Sequence, residues 1–230
     1  MADTKISDLS ALTAPVNSDL AVLVDVSDTT MAASGTDKKI LLADLFGAIM
    51  PLSIIPSTGE YLVWPMGQHA TGLDSTVGNM YYMPLWVPKA LTADRIAVKV
   101  ETSGSAGAVL RLGIYAASPT TRKPDSLVLD AGTVDATSTG QKEITISQAL
   151  TAGLYWLACV PQVATCAPRG LAYSTLYGLR PLYTTTLSVD TPTDFTYRET
   201  GVTGALPSTT TPVVTNTASN RSPSLGLRVA

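Results

Sequence analysis

The feature that most constrains this chain is a period of two residues in the placement of apolar side chains, which recurs in four segments between residues 93 and 160. In the first segment Ile96, Val98 and Val100 occupy every second position. Successive side chains of a strand point to opposite faces, so the pattern predicts half-buried strands. The four segments are Ala93–Glu101, Val109–Tyr115, Lys142–Ser147 and Leu154–Val160.

Turn sequences rich in Gly, Pro, Ser and Thr separate these segments, at 103–107, 118–125, 137–140 and 151–153. The chain contains 32 Thr and 20 Ser, a composition that favours strands and turns over long helices. Short strands divided by such turns are typical of an antiparallel β-sandwich. We therefore predict a mainly β protein with a jelly-roll-like sandwich over residues 60–230.

The first 50 residues predict a separate module, a hairpin followed by a helix. An apolar strand at Ala21–Val26 precedes a polar turn and a second strand at Lys38–Leu42, and a short helix is predicted at Ala43–Ile49. Fifty residues bury too little surface to be stable alone, so this module is expected to pack on copies of itself or on a partner. Residues 51–59, with two prolines, are interpreted as a linker.

Charge and composition exclude several classes of function. The chain has 15 basic and 18 acidic residues, so it lacks the positive charge of a nucleic-acid-binding protein. One His and two Cys are too few for a zinc site, and no metal or other cofactor is predicted. No secretory signal is recognisable, and the apolar stretch 40–56 is interrupted by Asp44 and two prolines, so no membrane insertion is expected.

Two alternatives stay open for Cys159 and Cys166, which flank a turn. They could pair if they lie on facing strands, whereas a reducing cytosol favours free thiols.

No catalytic motif is present, and we expect no enzymatic activity. Hydrolysis of a glycan would require a pair of carboxylates. The sequence offers two candidate pairs, Asp130 with Asp135 and Asp190 with Asp194. The first pair flanks a predicted turn, where Asp commonly forms local hydrogen bonds. His69 lies in a Gly-containing loop and is interpreted as a surface residue.

Aromatic residues are the best candidates for ligand contact, because flat rings stack on the apolar faces of sugars. Trp156 shares its predicted face with Leu154 and Val160 and is predicted to lie in the core, as is Trp86. A loop-like apolar stretch is the predicted contact surface for a ligand or a neighbouring subunit. Its candidate residues are Tyr173, Tyr177, Arg180 and Tyr183.

The chain is rich in Thr and Pro after Tyr183, which is a composition found in disordered segments. Phe195, Tyr197 and the closing apolar stretch at 225–230 nevertheless predict strands that complete a sheet, with long polar loops between them.

The N-terminal pattern resembles the anchoring module of bacteriophage tail-fibre and minor virion proteins. The residues that carry the resemblance are Ile6–Thr13, Val22–Asp28, Gly35, Thr36, Lys38, Lys39, Ile40, Ala43, Asp44 and Leu45. Residues 91–118 and 127–160 are similar to the distal β-sandwich domains of such proteins. The chain differs from long fibres because it has no repetitive shaft between the two parts.

The resemblance implies a virion surface structural protein that is assembled in the host cytoplasm and is commonly trimeric. Residues 1–50 would attach it to other virion proteins of the tail or capsid, and the β-sandwich would bind a host-surface glycan. A capsid-decorating head fibre or cement protein without receptor binding is the alternative. The predicted residues for anchoring and oligomerisation are Ile6, Leu9, Leu12, Leu41, Leu42, Leu45 and Phe46.

Overall fold

The computed structural model describes residues 20–25, 27, 30, 36–41, 56–63, 68–73, 76–172, 197–214 and 221–230. The chain divides into two compact units, Met1–Ile55 and Pro56–Ala230. The boundary between them falls within the predicted linker, 51–59.

The first unit contains an antiparallel pair of strands, β1 (Leu20–Asp25) and β2 (Thr36–Leu41). Leu20 pairs with Leu41 at one end of the ladder, and Asp25 pairs with Thr36 at the other. Both strands of the predicted hairpin are therefore present, while the predicted helix at Ala43–Ile49 lies outside the described residues.

The second unit consists of strands that form two antiparallel sheets, and the described residues contain no helix. The prediction of a mainly β, antiparallel protein is thus confirmed. The strands are β3 (Tyr61–Val63), β4 (Gln68–Gly72), β5 (Met80–Val87), β6 (Leu91–Thr102), β7 (Val109–Ala117), β8 (Pro124–Asp135), β9 (Gly140–Leu150), β10 (Gly153–Gln162), β11 (Ala167–Ala172), β12 (Tyr197–Glu199), β13 (Val213–Val214), β14 (Arg221–Pro223) and β15 (Leu225–Val229).

One sheet has six strands in the order β13-β12-β5-β10-β7-β8. In the seven-stranded sheet β6 pairs with β9 along one side and with β15 and β11 along the other. Strand β3 lies beyond β15, and β4 and β14 both pair with β11. The consecutive strands β5 and β6 belong to different sheets. Strand β5 pairs with β10 in one sheet, and β6 pairs with β9 in the other.

Side chains from both sheets form a single buried cluster, the inner cluster. Ile96, Val98 and Val100 of β6 are at most 2 % exposed, as the alternation of the sequence predicts. The other members include Met83, Leu85, Val87, Leu110, Leu112, Ile114, Leu157, Cys159, Leu225 and Leu227.

Much of the opposite face of the six-stranded sheet is also buried, because the residues that follow β12 cross it toward β8. We call residues 197–210, including β12, the strap. Its Val202 and Leu206 contact a second apolar cluster, the outer cluster. The sheet contributes Met80, Tyr82, Tyr115, Trp156, Ala158 and Val160 to that cluster. Since the central strands are covered twice, they are buried at nearly every position rather than at every second one.

Hydrogen bonds from buried side chains hold the strap in place. The Gln162 amide donates from Nε2 to the carbonyl oxygens of Gly204, at 2.7 Å, and Val202, at 3.3 Å. The Tyr115 hydroxyl donates to the carbonyl oxygen of Pro207 at 3.0 Å. These side chains therefore satisfy strap carbonyls that pack against an apolar surface, where an unpaired polar group would be costly.

The two tryptophan predictions have opposite outcomes. Trp156 lies in the outer cluster and is 8 % exposed, so its predicted burial is confirmed. The prediction for Trp86 is wrong, because this side chain is 48 % exposed. It lies near one end of β5, whereas the strap pairs with Met80 and Tyr81 at the other end.

The predicted C-terminal strands are present where the structure describes the chain. Tyr197 begins β12, and the closing apolar stretch forms β15, which pairs with β6 in the seven-stranded sheet. Phe195 lies outside the described residues.

We predict that Gly113→Ala lowers stability by about 2 kcal/mol, because a methyl group there would overpack the contact between sheet and strap. A Cβ at this position would lie 2.2 Å from Leu206 Cδ1 and 2.8 Å from the Leu129 carbonyl oxygen. Gly204→Ala, in the strap itself, is the control, since a Cβ there meets no atom within 4 Å. Urea unfolding of both variants checks this, and equal stabilities would contradict the placement of the strap.

Candidate functional site

The predicted ligand-contact residues Tyr173, Tyr177, Arg180 and Tyr183 all lie outside the described residues. Of the predicted anchoring residues, Leu41 ends strand β2 opposite Leu20. The remaining anchoring residues, which are Ile6, Leu9, Leu12, Leu42, Leu45 and Phe46, also lie outside the described part of the chain.

A different candidate site is formed on the seven-stranded sheet, on the face opposite the inner cluster. The register places Tyr61, Arg228 and Arg95 side by side on β3, β15 and β6. The next row on the same face contains Gly226 and Ala97, with Glu143 beside them on β9. Four strands that are distant in sequence therefore bring one aromatic and several charged side chains together.

The Tyr61 side chain extends over small residues of its neighbouring strands. A Cβ on Gly226 would lie only 3.3 Å from Tyr61 Cδ1 and 3.0 Å from Val63 Cγ1, so glycine leaves the space that the ring uses. The Tyr61 hydroxyl donates a hydrogen bond to Glu143, two strands beyond β15. Ala97 lies between them on the same face and is only 7 % exposed, which shows that neighbouring side chains cover its methyl group.

Hydrogen bonds fix the Glu143 carboxylate. It accepts one from Tyr61 and one from Gln141 Nε2 at 2.6 Å, while Arg95 Nε lies 3.9 Å from its second oxygen. The hydrogen bond from Tyr61, followed by that from Gln141, lowers the pKa of Glu143. Partial burial, together with the Glu143 carboxylate, raises the pKa of Tyr61. At neutral pH the pair is therefore a phenol that donates to a carboxylate.

An adjacent ion pair completes the arrangement. Arg228 donates from Nε and Nη2 to the two oxygens of Asp94, at 2.9 and 2.6 Å, and Arg95 Nη1 lies 3.7 Å from the same carboxylate. The hydrogen bond from Arg228 lowers the pKa of Asp94, and the same bond raises that of Arg228. We call this surface the Tyr61 face; it comprises Tyr61, Asp94, Arg95, Gln141, Glu143 and Arg228.

Sequence reasoning did not identify Tyr61 as a candidate. The alternation in β9 places Gln141 and Glu143 on the face opposite Ile144. It does not indicate which aromatic ring lies beside them, because β3 and β9 are about 80 residues apart and pair with different strands. Only the sheet register brings them together.

The predicted carboxylate pair on β8 is occupied by structural contacts. Asp130 accepts hydrogen bonds from Arg111 Nε and Nη2 at 2.7–3.0 Å and from the backbone N–H groups of Leu206 and Gly132. Burial opposes ionisation of Asp130, but these donors outweigh it, and the pKa is lowered.

Asp135, the second member of that pair, accepts hydrogen bonds from the side chain and backbone of Thr137, and these lower its pKa. A general acid in glycan hydrolysis needs a raised pKa, so neither carboxyl group has the property that this role requires. Asp190 and Asp194 lie outside the described residues.

Both cysteines are free and buried. Burial raises the pKa of Cys166 to about 11, and burial together with the Cys166 thiol raises that of Cys159. Thiols of this kind stay protonated at neutral pH and are poor nucleophiles. His69 lies in β4, where its backbone pairs with Leu171.

Where the structure describes the chain, no group of three His, Cys, Asp or Glu residues is placed to hold a metal ion. The same residues include no apolar helix of the length needed to cross a bilayer.

Comparisons with protein-family models, with curated proteins and with solved structures found no match.

We predict that Asp130→Asn destabilises the protein by about 1–3 kcal/mol at pH 7, since it removes the negative charge that accepts hydrogen bonds from Arg111 and from the Leu206 N–H. The native pKa lies below that of the unfolded chain, so this stabilisation is present above about pH 4 and is lost as the pH falls through the native value. Stability of the variant should therefore fall less steeply below pH 5.

Urea unfolding between pH 3 and pH 7 measures this difference. Asp125→Asn, which changes an exposed carboxylate on the same strand, is the matched control. Parallel pH profiles for wild type and Asp130→Asn would contradict the role of Asp130.

Proposed function

We propose that this chain is a bacteriophage virion surface protein, a short fibre or spike that attaches the particle to a host-surface glycan. The first unit would hold it on the tail or capsid, and the β unit would face outward. Its role is structural and adhesive, without catalysis.

The observation that carries this proposal is the division into two units of different kinds. Residues 1–55 form a small unit with a two-stranded hairpin, and residues 56–230 form a larger unit with its own buried core. An attachment protein needs one part that remains on the particle and one that meets the host. Two separately compact units satisfy both needs within one short chain.

We also propose that the two sheets of the larger unit form a sandwich of the jelly-roll type. Its support is the inner cluster, to which both sheets contribute, and the pairing of β5 and β6 with β10 and β9. Sandwiches of this kind are rigid scaffolds that present loops and sheet faces to partners.

Adhesion is favoured over glycan hydrolysis by the state of the carboxylates. Asp130, Asp135 and Glu143 all have lowered pKa values, and each is held by hydrogen bonds. Groups with lowered pKa values stay ionised at neutral pH and are poorly suited to donating a proton to a leaving group.

The protein is proposed to act as a trimer. Several linked copies bind a repetitive surface more strongly than one, because attachment of the first raises the local concentration of the others. Light scattering of the full chain at micromolar concentration should give three times the mass of the 24.0 kDa chain. A monomer under these conditions would contradict this part of the proposal.

Immunogold labelling of intact virions tests the location and the role together. Antibody raised against the full chain should place gold at the tail tip, and soluble full-length protein should compete with virions for host cells. Gold spread over the capsid without such competition would instead identify a decorating or cement protein. Virions without gold would overturn the proposal.

A further inference from the structure

We infer that the Tyr61 face binds an uncharged glycan, with one sugar ring stacked on Tyr61 and its hydroxyl groups bound by Glu143, Gln141 and Arg95. This inference rests on the proposed attachment function and names its binding surface and ligand class. Neither the sequence prediction nor the comparisons assign a ligand to this face.

Neighbouring residues orient the aromatic ring of Tyr61. The absence of a side chain at Gly226 gives the Tyr61 ring room beside β15, and the hydrogen bond to Glu143 draws its hydroxyl across the sheet. The ring therefore extends along the sheet over small residues and remains partly exposed to solvent. A sugar ring has apolar C–H faces, and a flat aromatic surface of this kind is complementary to them.

Polar groups that can bind sugar hydroxyls lie around that ring. Glu143 has two carboxylate oxygens with further capacity to accept hydrogen bonds, and Gln141 contributes an amide with both donors and an acceptor. Sugar hydroxyls both donate and accept, so they can add to these groups without breaking the existing bonds. Because Tyr61, Gln141 and Glu143 already hold one another, little side-chain freedom is lost on binding.

The charges of the Tyr61 face select the class of glycan. The face carries two arginines and two carboxylates, and each arginine lies within 4 Å of a carboxylate. The next cations along the sheet, Lys99 and Arg169, both lie near Glu101, at 3.9 and 3.6 Å. An acidic glycan would have to compete with these carboxylates for the arginines and would be repelled by them, whereas a neutral glycan meets no such cost.

Titration of the full chain with defined oligosaccharides tests the inference. The probes are a neutral hexose oligosaccharide series and uronic-acid oligosaccharides of equal length, each monitored by calorimetry and by NMR shifts. We expect binding within the neutral series and no binding of the acidic one. Acidic oligosaccharides that bind more tightly than every neutral one would overturn the ligand class.

Variants then locate the site. Tyr61→Ala should lower the association constant about tenfold, because it removes the stacking surface. Trp86→Ala is the matched control, since Trp86 is an exposed aromatic residue on the other sheet. Unchanged binding by Tyr61→Ala, or loss of binding in Trp86→Ala, would overturn the assignment to the Tyr61 face.

Further variants keep the test decisive if Tyr61→Ala does not fold. Tyr61→Phe retains the ring but loses the hydrogen bond to Glu143, so it should keep part of the affinity, while Gln141→Ala, at an exposed position, should weaken binding several-fold. Complete loss of binding in Tyr61→Phe would contradict stacking as the source of binding, and full affinity in Gln141→Ala would contradict the placement of the sugar beside Gln141.

Failure of this inference can be distinguished from failure of the proposed function. If gold labels the tail tip and soluble protein competes for host cells, but no oligosaccharide binds, the attachment role stands and the Tyr61 inference falls. If neutral oligosaccharides bind through Tyr61 but no virion is labelled, the ligand assignment stands and the virion role falls.

Discussion

The central strands of the six-stranded sheet, β5 and β10, are apolar on both faces, and the rest of the larger unit depends on how the second face is covered. One face shares the inner cluster with the other sheet, and the strap at residues 197–210 covers the other. The buried Tyr82 hydroxyl donates to Glu199 of the strap at 3.0 Å, and Asp130 accepts from the Leu206 N–H. Apolar burial holds the strap against the sheet, and these polar contacts determine which strap residue lies over which sheet residue.

The Tyr61 face lies on the other sheet and is partly exposed to solvent. The pairings of β6 with β15 and with β9 both shift register beside it. Gly226 is the residue on which the face depends, because a side chain at that position would meet both Val63 and Tyr61. Hydrogen bonds among its side chains hold the polar groups in a fixed pattern, which is the property required of a recognition surface.

Alternation in the sequence predicted the strands well, because a half-buried strand shows its period directly in residues such as Ile96, Val98 and Val100. It failed at Trp86, whose neighbours Leu85 and Val87 are fully buried while its own side chain is exposed at a strand end. The pattern gives the face of each residue but not how far the strap extends over it. The sequence did not predict Tyr61 as a site residue for a related reason. The contact between Tyr61 and Glu143 depends on the register of four paired strands, which no local pattern shows.

Hydrogen–deuterium exchange of the full chain with and without host-envelope polysaccharide tests whether the larger unit recognises its ligand through the seven-stranded sheet. We expect the polysaccharide to slow exchange in β3, β6, β9 and β15 and to leave the strap and the hairpin of the first unit unchanged. Protection confined to the strap or to that hairpin, with none on these four strands, would contradict it.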